Sequence, residues 1–173
     1  MADRFTVNQK VQVGAESTSA LGTPVAASKL LECFDWTLGI SADVVYFTPT
    51  GRKYASASAE NMEWMDGSLS GWLDYNGLIY VLGGAYGAVS AVAHGSSATA
   101  KDWVYSPPVT GSLTPQTLTI QQGDSVRAHQ TSYGLFTSFG YKINRKDATC
   151  DAKFIGQPIS DGITMSPSQQ QSH

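Results

Sequence analysis

The chain has 173 residues and a mass of 18.4 kDa, enough for one well-filled hydrophobic core, and no Pro- or charge-rich linker divides it. A formal net charge of −3 and a pI near 5.5 exclude a basic footprint for tight capture of a nucleic-acid backbone. Charged residues make up 14% of the chain, against roughly a quarter in ordinary soluble domains, which favours a subunit that covers much of its exterior with neighbours.

In chain order, residues 1–28 mix polar side chains with Gly14, Gly22 and Pro24 and read as an extended N-terminal arm. Met1-Ala2-Asp3-Arg4 leads into no apolar signal-peptide core, so the product is expected in the cytoplasm unless a larger particle carries it out. A first strand follows. Phe34, Trp36, Leu38 and Ile40 share a core-facing side, and Cys33, Asp35, Thr37 and Gly39 share the other. Cys33 and Cys150, the only cysteines, are expected as buried free thiols, although two could pair.

Residues 47–62 read as a projecting loop, with the basic pair Arg52-Lys53 between Phe47 and Tyr54 and then a small-residue run. A second strand sets Met65, Leu69, Leu73 and Tyr75 against Asp66, Ser68, Ser70, Trp72 and Asp74. Asn76-Gly77 is a hairpin signal, but Leu78, Ile79, Val81, Leu82 and Tyr86 fit one stripe of a helix that Asp74 or Asn76 could cap. The uncharged run 77–93 is short for a membrane span and holds four glycines without an adjacent basic flank, so a buried helix followed by a small-residue loop is expected.

Trp103-Val104-Tyr105 reads as a short strand stopped by Pro107-Pro108. Residues 117–122 and 125–131 pair around Gly123-Asp124, and residues 135–143 and 148–157 form a longer hairpin around 144–147. On its second limb Cys150, Ala152 and Phe154 face a core, leaving Thr149, Asp151 and Lys153 outside. Residues 166–173 are a polar, Gln-rich tail.

No catalytic or metal-binding motif emerges. His94 and His129 have no second His or Cys at ligand spacing. The carboxylates are scattered, and only a cross-strand meeting of Asp66 with Asp74, or of Asp35 with Asp66, would imitate a glycosidase pair. Gly67-Ser68-Leu69-Ser70-Gly71 has Leu69 where a serine elbow needs its nucleophile. Gly83-Gly84-Ala85-Tyr86-Gly87 lacks the lysine of a phosphate loop. Trp64, Trp72 and Trp103 leave open an alternative reading, a carbohydrate-binding β-sandwich of a virion or surface protein.

Several stretches, in order, resemble the tail tube proteins of long-tailed bacteriophages. They are Val11-Gln12-Val13-Gly14-Ala15-Glu16-Ser17-Thr18, Gly22-Thr23-Pro24-Val25-Ala26-Ala27, Gly51-Arg52-Lys53-Tyr54, Glu63-Trp64 and Gly71-Trp72-Leu73-Asp74-Tyr75. Tyr133-Gly134-Leu135, Phe154-Ile155-Gly156-Gln157 and Asp161-Gly162-Ile163-Thr164-Met165 continue the likeness over nearly the whole chain. The chain departs from the pattern in length, since such relatives commonly continue beyond the Asp-Gly-Ile-Thr element, often into a second copy of the fold.

The resemblance implies a mainly β, sandwich or barrel-like domain over 29–165 with one flanking helix. It implies a non-enzymatic, cofactor-free subunit of the virion tail, assembled in the host cytoplasm. Its partners would be copies of itself in stacked rings, six to a ring for a single-length chain, a tape-measure protein and other tail proteins, with DNA passing transiently. On that reading alternation assigns Asp35, Thr37, Asp66, Ser68, Ser70, Thr149 and Asp151 to the channel wall, where acids and hydroxyls let a polyanion slide; Lys153 shares the face. Gly14, Glu16, Gly51, Arg52, Lys53 and Tyr54 fall on the arm and loop that would lock one ring to the next.

Overall fold

The computed structural model describes residues 9–165 apart from 33, 98, 108, 110, 112 and 125, so Cys33 and the 166–173 tail lie outside the described residues. The elements are β1 (Lys10–Ala15), β2 (Lys29–Leu30), β3 (Phe34–Phe47), β4 (Ala57–Trp72), α1 (Tyr75–Tyr86), β5 (Val92–Ala93), β6 (Lys101–Asp102), β7 (Leu118–Gly123), β8 (Ala128–Ile143), β9 (Ala148–Gly156) and β10 (Ser160–Ile163). Among the described residues the protein is mainly β with one helix, as expected. Hydrogen bonding runs β2-β1-β7-β8-β9-β4-β3, with β10 also on β8, and every pairing is antiparallel.

The path folds over because β8 serves two sheets. Its first half pairs with β7 and β10, and residues 135–143 pair with β9. Between them sits Tyr133 at φ 56, a left-handed conformation rare for a bulky residue, and ladder shifts at Leu118/Ile120 and Phe136/Ser138 add to the bend. Val11, Val13, Leu118 and Ile120 from one sheet then meet Trp36, Met65, Leu69, Ala152 and Phe154 from the other in one core. Trp36 and Phe154 pack with ring centroids 4.0 Å apart and planes tilted by 44°. Gly67 is needed there, because a Cβ at that position would sit 1.9 Å from the Phe154 ring.

Helix α1 covers the core side of β8. Asp74 caps it, accepting from the Gly77 N–H at 3.1 Å, and Gly87 at φ 92 ends it. Its buried positions are Gly77, Val81, Gly83 and Gly84. Gly84 leaves room for the Phe136 ring, and Tyr86 meets Phe139 edge-on. The contact is close because the helix presents small residues, whereas Leu78, Ile79 and Leu82 of the expected stripe stay half-buried.

Several expectations are corrected. Within the stretch read as an arm, Lys10–Ala15 is an internal strand between β2 and β7, and Val13 is fully buried. Its Val-Gln-Val alternation is only three residues long, too short to stand out beside Gly14. Residues 57–62, read as loop, continue β4, since pairing with β3 overrides their poor strand propensity. Trp103-Val104-Tyr105 is not a strand: the small β5–β6 ladder ends at Asp102, and the Tyr105 hydroxyl instead donates to the Ile79 carbonyl. Ile40, expected in the core, is 67% exposed and lines an open cleft with Gln122 and His129, and Tyr75 opens the helix at 90% exposure.

Candidate functional site: a two-faced sheet with open edges

Four strands, β3, β4, β9 and residues 135–143 of β8, form one layer whose outer face is solvent-exposed. Register fixes which side chains share that face. Asp35 lies opposite Ser70, and Ser70 opposite Asp151; Thr37 lies opposite Ser68, and Ser68 opposite Lys153. Thr149 pairs with Trp72 and Lys142, and Asp66 pairs with Gly39 and Ile155. All seven residues picked by alternation therefore occur together on one face.

The sequence reading missed that β8 extends this face with Ser138, Gly140 and Lys142. Their alternation with Phe139 and Tyr141 was the available signal. The Asp151 carboxylate lies over Gly140, with oxygens 3.2 and 3.3 Å from where a Cβ would stand. Asp66 accepts from the Ser41 hydroxyl at 2.6 Å and from Trp64 Nε1 at 3.2 Å.

The face gathers no catalytic pair. Asp35 and Asp66 are separated along the ladder, and Asp74 is occupied with its helix cap. Of the candidate tryptophans, Trp64 and Trp72 are about 26 Å apart along β4 at ordinary strand rise, and the half-exposed Trp103 follows the end of β6. His94 and Asp102 form an exposed pair at 2.8 Å. Asp161 takes Arg127 Nε at 2.7 Å and His129 Nδ1 at 3.0 Å, which ties β10 to β8. Among the described residues no group of three or more potential metal ligands occurs, and no helix is long and apolar enough to cross a membrane.

Among the described residues the layer has two open edges: β3 pairs only with β4, and residues 135–143 of β8 pair only with β9. At Trp36 the outer edge of β3 is already capped, since its N–H donates to Asp35 Oδ1 at 2.9 Å and its carbonyl accepts from Gln122 Nε2 at 3.2 Å. By the two-residue period, the backbone groups of Leu38, Ile40 and Ala42 point to the same edge. Beyond Met65, where the β4–β9 ladder ends, the β3–β4 hairpin runs on alone for about 27 Å to its turn.

The turn holds Gly51 at φ 87 and exposes Arg52, Lys53 and Tyr54, with Lys53 Nζ 5.9 Å from the Tyr54 ring centre. Gly14 and Glu16, grouped with these residues on sequence grounds, lie elsewhere and are buried. Glu16 Oε2 accepts from Thr117 Oγ1 at 2.7 Å and the Gly22 N–H at 2.8 Å. Its Oε1 accepts from Thr119 Oγ1 at 2.9 Å and the Tyr133 N–H at 2.8 Å. Glu16 thus holds the 17–22 turn, β7 and the left-handed Tyr133 together, a role inside the subunit.

No protein-family model and no curated protein matches the chain. Among solved structures, a chain of the virion of a native gene transfer agent particle aligns with a TM-score of 0.54 at 9% identity, covering 92% of this chain and 98% of that one. A chain from the tail of an empty particle of the same kind, refined with C6 symmetry, aligns at 0.50 and 9%, covering 91% and 98%. The likeness is one of fold. It extends over most of both partners rather than one motif, and at this identity it carries no residue correspondence.

Proposed function

We propose that the chain is the structural subunit of a phage-type tail tube. The observation that carries this reading is a four-stranded layer that is polar on its outer face and unpaired at both edges. Free edges invite addition of strands, and a monomer normally blocks them. The open edge of β3 from Leu38 onward and residues 135–143 of β8 are complementary in kind, so the edge of one copy joins the opposite edge of the next. Such a head-to-tail contact closes into a ring when its rotation fits.

Six copies, the number suggested by the C6 tail whose fold is shared, give a barrel of ~24 strands, beyond the 16–18 that already leave an aqueous channel. Asp35, Thr37, Asp66, Ser68, Ser70, Thr149 and Asp151 then face the bore, and rings stack into a tube within a virion tail assembled in the host cytoplasm. The bore encloses a tape-measure protein and later passes DNA, which the acidic and hydroxylic wall hydrates without binding. The role is non-enzymatic and needs no cofactor. Negative-stain imaging of the purified protein tests it: rings or tubes are expected, and dispersed monomers at high concentration would overturn the proposal.

A further inference from the structure

The two open edges fit each other in one register. On β3 the outward backbone groups left for a partner belong to Leu38, Ile40 and Ala42, because Trp36 is already capped. On β8 the turn fixes the phase: the Asn144 N–H donates inward to the Asp147 carbonyl at 2.8 Å, so alternation points Ile143, Tyr141 and Phe139 outward. Each set ends at an irregularity, at Asp43/Val44 on β3 and at Phe136/Ser138 on β8. Copies related by rotation about one axis point the same way, and β3 runs opposite to this part of β8, so a junction between them is antiparallel.

We infer that Leu38, Ile40 and Ala42 of one copy pair with Ile143, Tyr141 and Phe139 of the next, and that Gln122 is the stop that sets this register. The inference rests on the tube reading and names the residues of its lateral joint. With this pairing Asp43 falls opposite Ser138 and Val44 opposite Thr137, so the two irregularities coincide. The side chains agree as well. Ile40, Tyr141 and Ile143 are 67%, 66% and 66% exposed in the single copy, and alternation puts all three on the face away from the acids. Leu38 and Ile40 line the cleft beside Gln122 and His129, about 430 Å³ of open space that Ile143 and Tyr141 of the next copy enter.

Gln122 belongs to β7, in the opposite sheet, and its amide reaches across to hold the Trp36 carbonyl. A slip of two residues one way would set Ile143 opposite Trp36, where that carbonyl is already taken. A slip the other way leaves Leu38 unpaired and carries Phe139 past the irregularity to Val44. Register also sets the shape of a ring. Tyr141 is level with Phe34 of its own copy through Cys150 and Gly71, so joining it to Ile40 of the next staggers the ladder at every junction and tilts the strands against the axis.

Paired cysteines test the register. Gly39 and Lys142, both exposed, then face each other directly, whereas Gly39 and Gly140 are diagonal at about 7–8 Å, beyond disulfide reach. Under a mild thiol oxidant, Gly39→Cys with Lys142→Cys is expected to give cross-linked chains up to a closed ring, about tenfold more than Gly39→Cys with Gly140→Cys. Single-cysteine variants supply the background from Cys33 and Cys150. Adding Gln122→Ala, or Gln122→Glu, which keeps the length and loses the donor, is expected to make the Gly140 pair cross-link and to change the ring diameter in negative stain, with circular dichroism checking the fold. Once the wild type forms rings, equal cross-linking by the two cysteine pairs, or none by either, overturns the inference. So does an unchanged pattern in the folded Gln122 variants, which would leave Gln122 a link between sheets only. Wild-type protein with no rings overturns the tube reading itself.

Discussion

Glu16 shows what one buried carboxylate does when four donors converge on it. Removing it in Glu16→Ala leaves two threonine hydroxyls and the Gly22 and Tyr133 N–H groups without their acceptor. The expected loss is about 3–5 kcal/mol, read as a lower midpoint in chemical denaturation, because breaking a buried charged network costs more than one neutral hydrogen bond. Tyr133 adds to this, since its N–H in the left-handed conformation is held by the same carboxylate. Gly67→Ala is expected to cost about 3 kcal/mol by forcing the Phe154 ring out of its contact with Trp36. At Cys150, burial first and the neighbouring Asp151 second push the thiol above its ordinary value of 9.0. The folded state therefore keeps a proton that the unfolded chain loses. This contribution to stability is complete below pH 9.0 and is lost as pH rises through the higher folded value. Denaturation midpoints compared at pH 8 and pH 10.5 should fall at the higher pH, and the fall should be smaller in Cys150→Ala.

At the scale of elements, the proposed function rests on the open edge of β3. Ile40→Pro is informative because Ile40 is exposed and its N–H belongs to the outer edge, not to the ladder with β4. The expected outcome is a folded protein that no longer forms rings in sedimentation. Rings of normal size from this variant would mean that β3 is not the joined edge. The same elements show how far the sequence could be read. The faces of β4 and β9 were legible because each runs many residues in strict alternation, and the helix was legible from its stripe and from Asp74. β1 and residues 57–62 were not, because they are strands only by virtue of their partners: β1 is placed by β7, more than a hundred residues away, and 57–62 by β3. Glu16 carries no local sign of burial, since two of its partners are Thr117 and Thr119.

For the whole molecule, the proposed tube reading turns the polar face toward the bore. It carries Asp35, Asp66 and Asp151 against Lys142 and Lys153, a mild acidic excess repeated in every copy. Replacing Asp35 and Asp151 together by lysine should turn a wall that DNA slides past into one that retains it. Tubes of this variant are expected to hold duplex DNA at low salt and to release it as salt rises, a dependence read directly in a filter-retention assay. Equal retention by wild-type tubes, or none by the variant, would remove these residues from the channel wall.

The sequence by itself determined which side chains share a face, that a helix follows the second strand, and that no catalytic or metal-binding set is written in local spacing. These properties depend on periods of two and 3.6 residues, which neighbours along the chain establish. The tertiary structure alone decided which edges stay open among the described residues and that Glu16 is an internal anchor. Those outcomes depend on contacts between residues distant in the chain, where closure of one sheet over another, rather than local preference, sets what is buried and what is left unpaired.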